Sequence, residues 1–249
     1  MRRARPVRPV VLSGRLVRLE PLCLDNVDAL VAAATENRSN YAFTRVPENQ
    51  AEMTAYIASA LAQQRRGRAL AFAIHHNGRI VGSTRFLNLV YWDPTPPWSR
   101  NATIKGRRTP DAADIGYTWL AASAQRAGLN TECKLLMLTH AFEIWGVQRV
   151  TVKTDVLNMA SRRAIEALGA RFEGIRRAEY LRADGSVRDS AYYSILHTEW
   201  PQLQLHLLSN FLSRSPARRA QLLDADVVHS ADMGRQVSPS PKASDWAPQ

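Results

Sequence analysis

Hydrophobic and polar positions follow two rhythms along this chain, and from about residue 11 to residue 212 strand-like and helix-like stretches succeed one another without a break. Leu16 to Leu19 has the period of two of a half-buried strand, and Val27, Leu30, Val31 and Ala34 recur at helical spacing behind Asp25, which reads as an N-cap. Met53, Ile57, Ala60 and Leu61 predict a second helix after Asn49, with Gly67 placed to end it. Ala71 to His75 and Arg79 to Leu87 then flank Asn77-Gly78, a dipeptide that supplies the two positive φ angles of a type I′ hairpin. Asp114 to Leu120 reads as a strand, and Thr131 to Trp145 as a helix with Leu135, Leu138, Phe142 and Trp145 on one face, ended by Gly146. Val150, Val152 and Thr154 alternate as the next strand, and Asn158 opens a helix carrying Ala164, Ile165 and Leu168 before Gly169. Phe172 to Ala178 and Ser190 to Leu196 are strands joined by a turn at Asp184-Gly185, and Trp200 to Leu212 is a closing helix. The class is α+β, in a single domain over residues 11–212.

The basic residues 1–10 and the Ser-, Pro- and Arg-rich residues 213–249 lack apolar periodicity and are expected to be mobile tails. Tyr91 to Ala113 is too long for an ordinary connection, and its Tyr91, Trp92 and Trp98 fit equally a cover over a bound acceptor or plain packing of the loop. Lys105, Arg107 and Arg108 in that loop read as a solvated charge cluster.

At 249 residues and 45% hydrophobic the chain can bury a core of its own. No apolar run reaches the roughly 18 to 20 residues that span a bilayer, so no membrane association is expected. Two cysteines, Cys23 and Cys133, make neither a disulfide framework nor a zinc site, and together these features predict a cytoplasmic protein. His75, His76 and His140 share no ligand spacing with one another or with cysteine, and no metal is expected. The formal net charge of +11 invites a nucleic-acid partner. The arginines, however, are scattered through both tails and the middle, and a positive surface serves an anionic cofactor as well, so nucleic acid is the weaker reading.

Chemistry concentrates in two segments. In W-L-A-A-S-A-Q-R-A-G-L-N-T-E, Trp119 to Glu132, a strand passes through a small-residue turn into an amphipathic helix. Free amides and the positive dipole end of such a helix start favour an anion, and Gly128 permits a positive φ or close approach. A plain strand-to-helix turn has the same appearance. About thirty residues further, N-M-A-S-R-R-A-I-E-A-L-G, Asn158 to Gly169, sets Asn158 and Ser161 at another helix start, where either could be no more than a cap.

Taken in order, the strand, the anion-ready helix start, the second strand and N-x-x-S before a helix closing in G-A-R-F-E-G resemble the GNAT N-acetyltransferases. Leu12 to Pro21, Ile115 to Leu120 (I-G-Y-T-W-L) and Gly169 to Gly174 are similar to the RimJ/RimL-type branch, and the resemblance covers roughly residues 11–200. It implies a mixed, mostly antiparallel central sheet with a splayed strand pair, flanked by helices on both faces. It also implies transfer of an acetyl group from acetyl-CoA to a primary amine, either a small molecule or a protein N-terminus, by direct attack in a ternary complex. By family position, Gln125, Arg126, Ala127, Gly128, Leu129, Asn130 and Thr131 would hold the coenzyme A pyrophosphate, and Trp119, Leu120 and Asn158 its pantetheine arm. Asn130 departs from the usual Gly or Ala. Ser161 would donate to the leaving thiolate, and Asp114 stands where relatives carry a glutamate base, one methylene longer. Tyr117 is expected to pack in the core rather than to catalyse. Asn130 and Asp114 also leave room for a non-catalytic acyl-CoA sensor, and the arginine tails for a nucleic-acid binder; a homodimer stays open.

Overall fold

A computed structural model describes residues 7–92, 109–182 and 184–213. Trp98, Lys105, Arg107 and Arg108, and the tail residues 1–6 and 214–249, lie outside them. Two compact units divide the chain, Met1–Leu208 and Ser209–Gln249, and of the second only the end of the last helix is described.

In chain order the elements are β1 (Leu12–Ser13), β2 (Arg18–Pro21), α1 (Val27–Thr35), α2 (Gln50–Arg65), β3 (Leu70–His76), β4 (Arg79–Val90), β5 (Ala112–Leu120), α3 (Leu129–Thr139), β6 (Arg149–Asp155), α4 (Met159–Glu166), β7 (Arg171–Leu181), β8 (Val187–Leu196) and α5 (Trp200–Ser213). One eight-stranded sheet runs β1-β2-β3-β4-β5-β6-β8-β7. Its neighbours are antiparallel except β5 and β6. This is the mixed, mostly antiparallel sheet that the resemblance implies.

Local chemistry accounts for the element ends. The helix expected after Asn49 is α2, and the Asn49 side chain caps it by accepting from the Glu52 amide. Asn77 and Gly78, at φ 49° and 75°, make the tight turn between β3 and β4. Asp25 does not cap α1. A 3₁₀ turn, Leu24–Asn26, precedes that helix, and Asn26 reaches back to the Cys23 amide. The helix expected to begin at Thr131 begins at Leu129, because Gly128 at φ 81° turns the chain two residues earlier, and it leaves through a π-helical turn, His140–Trp145.

Contacts across the sheet separate its faces. Tyr56 of α2 meets Arg85 of β4, and Tyr41, before α2, meets Trp119 of β5, so α1 and α2 lie on one side. Trp145 packs on Phe86, Lys134 of α3 reaches Thr118, Glu166 of α4 bonds Tyr193, and Trp200 of α5 stacks on Phe142, which places α3, α4 and the start of α5 on the other. The largest buried apolar side chains, including Phe72, Phe86, Phe142, Ile74 and Ile115, fill the layers between.

Between β5 and β6 the register runs only from Ala112↔Arg149 to Ile115↔Val152, although the strands continue to Leu120 and Asp155. Beyond that point they part. Tyr117 sits at φ 50° where the β4–β5 register also shifts, so a bulge bends β5 at the start of the gap.

A single carboxylate ties the chain's start to α3. Glu132 is 3% exposed and accepts from the amides of Arg15, Leu16 and Val17 at 2.6, 2.7 and 2.8 Å. Glu132→Ala strands those three donors, and a loss of about 3 kcal/mol is expected. Urea unfolding measures it; a loss below about 1 kcal/mol would show that water replaces the carboxylate freely.

Candidate active site

β5 and β6 both hand the chain to a helix at the end where they part. A crevice between parallel strands at their carboxyl ends, faced by helix N-termini, is where open α/β sheets take up ligands. After β5, a 3₁₀ turn at Ala122–Ala124 leads to Gln125, whose Nε2 donates to the Leu120 carbonyl at 3.0 Å and fixes the loop's entry. Arg126 at φ 61° and Gly128 at φ 81° then turn amides outward as a nest. The amides of Arg126 to Thr131 find no acceptor among the described residues, whereas that of Glu132 returns to the Gly128 carbonyl at 3.1 Å. A Cβ on Gly128 would sit 3.7 Å from Leu16, so the positive φ rather than lack of space selects glycine. Asn130, the departure from the expected pattern, buries its Oδ1 with no hydrogen-bond partner among the described residues.

Trp119 and Leu120 are buried, and the Leu120 carbonyl already accepts from the Tyr41 hydroxyl at 2.9 Å. The side of β5 facing β4 is paired through Trp119↔Ser83 and Leu120↔Gly82, so its free backbone is on the side facing β6. At the end of β6, Asn158 caps α4 by accepting from the Ser161 amide at 3.0 Å. The Ser161 hydroxyl has no partner among the described residues.

On the face shared with α1 and α2, an open cavity of about 700 Å³ is lined by Asp114, Asn88, the outward residues of β6, Tyr192 of β8 and residues of β7 between Glu173 and Tyr180. Arg149, Thr151 and Lys153 project into it from alternate positions of β6. Its charges are mostly paired. Arg149 holds both oxygens of Glu173, whose carboxyl is thereby lowered. Lys153 donates to Glu179, Tyr180 and Tyr192 at 2.8, 2.8 and 3.0 Å. Burial alone would lower the Lys153 ammonium, but those partners outweigh it and raise it. Burial raises the Glu179 carboxyl, but the hydrogen bonds from Lys153 and Tyr192 and the Lys153 charge outweigh it and hold it down at about 2. Asp114 differs. Asn88 orients it at 2.7 Å, and burial raises its carboxyl above the usual aspartate range against the pull of Asn88 and Lys153. A carboxylate raised by burial is a better proton acceptor than a solvated one.

Asp114 thus lines the cavity, while Ser161 lies beyond the carboxyl end of β6 and outside the lining. Tyr117 is not a core residue: bulging from β5, it is 51% exposed, with its ring against the buried Arg85 guanidinium at 4.1 Å. Trp92 is exposed, and Tyr91 bonds the Gly67 carbonyl at 3.5 Å. His75, His76 and His140 join no metal-ligating cluster among the described residues, and no described helix is long and apolar enough to cross a membrane. Sequence reading missed Asn88, Arg149, Lys153, Glu179 and Tyr192. A signal existed for β6, where Arg149, Thr151 and Lys153 alternate with Val150 and Val152, setting three polar side chains on one face of the strand.

A family described as the acetyltransferase (GNAT) domain matches residues 16–171. YdaF of Bacillus subtilis (strain 168), a candidate ribosomal N-acetyltransferase by its name, is 36% identical over 88 residues, which are 35% of this chain and 47% of that protein; the match thus spans about half the relative's length. A GCN5-related N-acetyltransferase from Brucella melitensis superposes with a TM-score of 0.67 at 27% identity, covering 85% of this chain and 88% of its own. Mycobacterium smegmatis RimJ, solved in complex with CoA-disulfide, superposes with a TM-score of 0.64 at 23% identity, covering 84% and 97%.

Carboxyls lowered in the folded state stabilise it above their unfolded values and lose that contribution as pH falls through the folded ones. For Glu179 the window runs from 4.5 down to about 2. The thermal midpoint is expected to fall across it, and Lys153→Met to flatten the fall. An unaltered slope in the variant would remove Lys153 as its source.

Proposed function

Because this chain belongs to the GNAT acetyltransferase family, we propose that it takes acetyl-CoA as donor and moves the acetyl group to a primary amine by direct attack in a ternary complex. One observation carries the reading: the unpaired amides of Arg126 to Thr131 stand beside the gap that β5 and β6 leave beyond Ile115 and Val152. Those amides and the dipole of α3 suit the pyrophosphate, and the free backbone of β5 suits the amide-bearing pantetheine arm. The CoA bound by the M. smegmatis relative supports the same donor.

The acceptor amine enters from the opposite face, through the cavity over Asp114, and meets the thioester at the gap. Asp114, raised by burial, takes the ammonium proton directly or through one water. Asn88 holds its carboxylate in place. The amine nitrogen then attacks the thioester carbonyl and the C–S bond breaks; the Ser161 hydroxyl, without a partner among the described residues, donates its proton to the departing thiolate and regains one from the attacking nitrogen, leaving the amide and the free thiol.

Calorimetric titration with acetyl-CoA tests the donor site. Wild type is expected to bind, and Gly128→Glu, which sets a side chain and a negative charge at a φ of 81°, to lose binding while staying folded. Absence of binding by the folded wild type would reject the reading.

Thiol release across a panel of amines tests the chemistry. Asp114→Asn is expected to cut turnover by about 100-fold and to remove the acid limb of the pH–rate profile, with acetyl-CoA affinity retained; Ser161→Ala should lower turnover and leave that limb in place. Unchanged turnover in both variants would sink the assignment of these two residues; acetyl-CoA binding by wild type with no turnover on any amine would favour an acyl-CoA sensor.

A further inference from the structure

α3 carries a second ionised group that this chemistry does not use. Lys134 is 4% exposed and packs between the helix and the sheet. Its Nζ donates to the Thr118 hydroxyl at 2.5 Å, and that hydroxyl shares a hydrogen bond of 2.8 Å with Thr84. Thr118 belongs to the stretch of β5 that has lost its β6 partner. No carboxylate pairs with Lys134 among the described residues. Glu132, two positions earlier, is engaged by the amides of Arg15 to Val17, and Cys133 is buried with its thiol pushed up to about 12, hence neutral. Among the described residues the ammonium's hydrogen-bond partner on the sheet is the neutral Thr118, itself bonded to the neutral Thr84.

A buried ammonium with no counter-ion is costly, and a docking anion would offset that cost. Lys134 is five residues into α3, roughly 7.5 Å along the axis from its first residue, behind the row of free amides. We propose that Lys134 is the buried counter-charge of the acyl-CoA site, a positioning residue whose ammonium is left unpaired by the fold and balanced when the anionic cofactor docks at Arg126 to Thr131. The inference rests on the donor site proposed above. Lys134 reaches the cofactor through the field and through Thr118, which its hydrogen bond fixes on the free segment of β5.

Proton linkage separates this from a packing role. Burial pushes the Lys134 ammonium down to about 8, so in the free protein it is partly deprotonated at pH 8. A nearby anion restores the charged form, and binding must then take up protons. CoA phosphates, whose second ionisation lies near pH 6, are already fully ionised at pH 8 and contribute little.

Calorimetry of coenzyme A binding to the full chain at pH 8, in two buffers of different ionisation enthalpy, counts the protons. Wild type is expected to take up a fraction of a proton, falling toward zero at pH 6.5. Lys134→Met is expected to bind about tenfold more weakly and to show no uptake, with circular dichroism unchanged. Wild-type binding without uptake at pH 8, or a methionine variant matching wild type in affinity and uptake, would overturn the proposal and leave the donor site standing. If wild type does not bind coenzyme A, both readings fall. Should the methionine variant not fold, the wild-type proton count at the two pH values decides alone.

Discussion

The candidate site depends on one constraint on the sheet: β5 and β6 run parallel, and their pairing stops at Ile115↔Val152. A parallel pair cannot be joined by a hairpin, so the chain must cross over through α3 and return, and both strands then present their carboxyl ends on the same side. Antiparallel neighbours hold each strand from outside, β4 on β5 and β8 on β6. The inner edges are therefore free to part without unravelling the sheet. Tyr117, in a left-handed conformation at the bulge, bends β5 at this point and is braced by the guanidinium of Arg85, itself packed over Tyr56 at 4.5 Å.

The gap divides the site between two faces of different character. On the side of α3, backbone amides, a helix dipole and one buried ammonium make a field suited to an anion. On the side of α1 and α2, the cavity's side-chain charges largely cancel, through Arg149 with Glu173 and Lys153 with Glu179, and Asp114 is left as the carboxylate with a raised affinity for a proton. On the proposed reading, an amine and a thioester would arrive from opposite faces and meet at the gap, the arrangement direct transfer requires. The exposure of Lys153 and Glu179 is low enough, at 18% and 7% of their side chains, for that pair to order the β7–β8 hairpin rather than merely decorate it.

Local sequence determined most of the elements, because their causes are local. Apolar periodicity marks α2, α3, β3, β4 and β6, Asn49 and Asn158 cap helices through their own first turns, and Asn77-Gly78 allows little but a tight hairpin. The loop from Gln125 to Thr131 was legible for the same reason, since a glycine between a strand and an amphipathic helix says where amides will be left free. Errors arose where a neighbour elsewhere in the chain decided the outcome. Tyr117 has the composition of a core residue, yet a bulge in β5 turns it outward onto Arg85. What only the tertiary structure decided is which polar residues face one another: Lys153 with Glu179 and Tyr192 across three strands, Asn88 with Asp114, and Lys134 with Thr118 and, among the described residues, with no carboxylate. Spacing along a chain carries no information about such pairings. They depend on register and on the face each strand turns inward, and those are set by the packing of the whole sheet against its two helical layers.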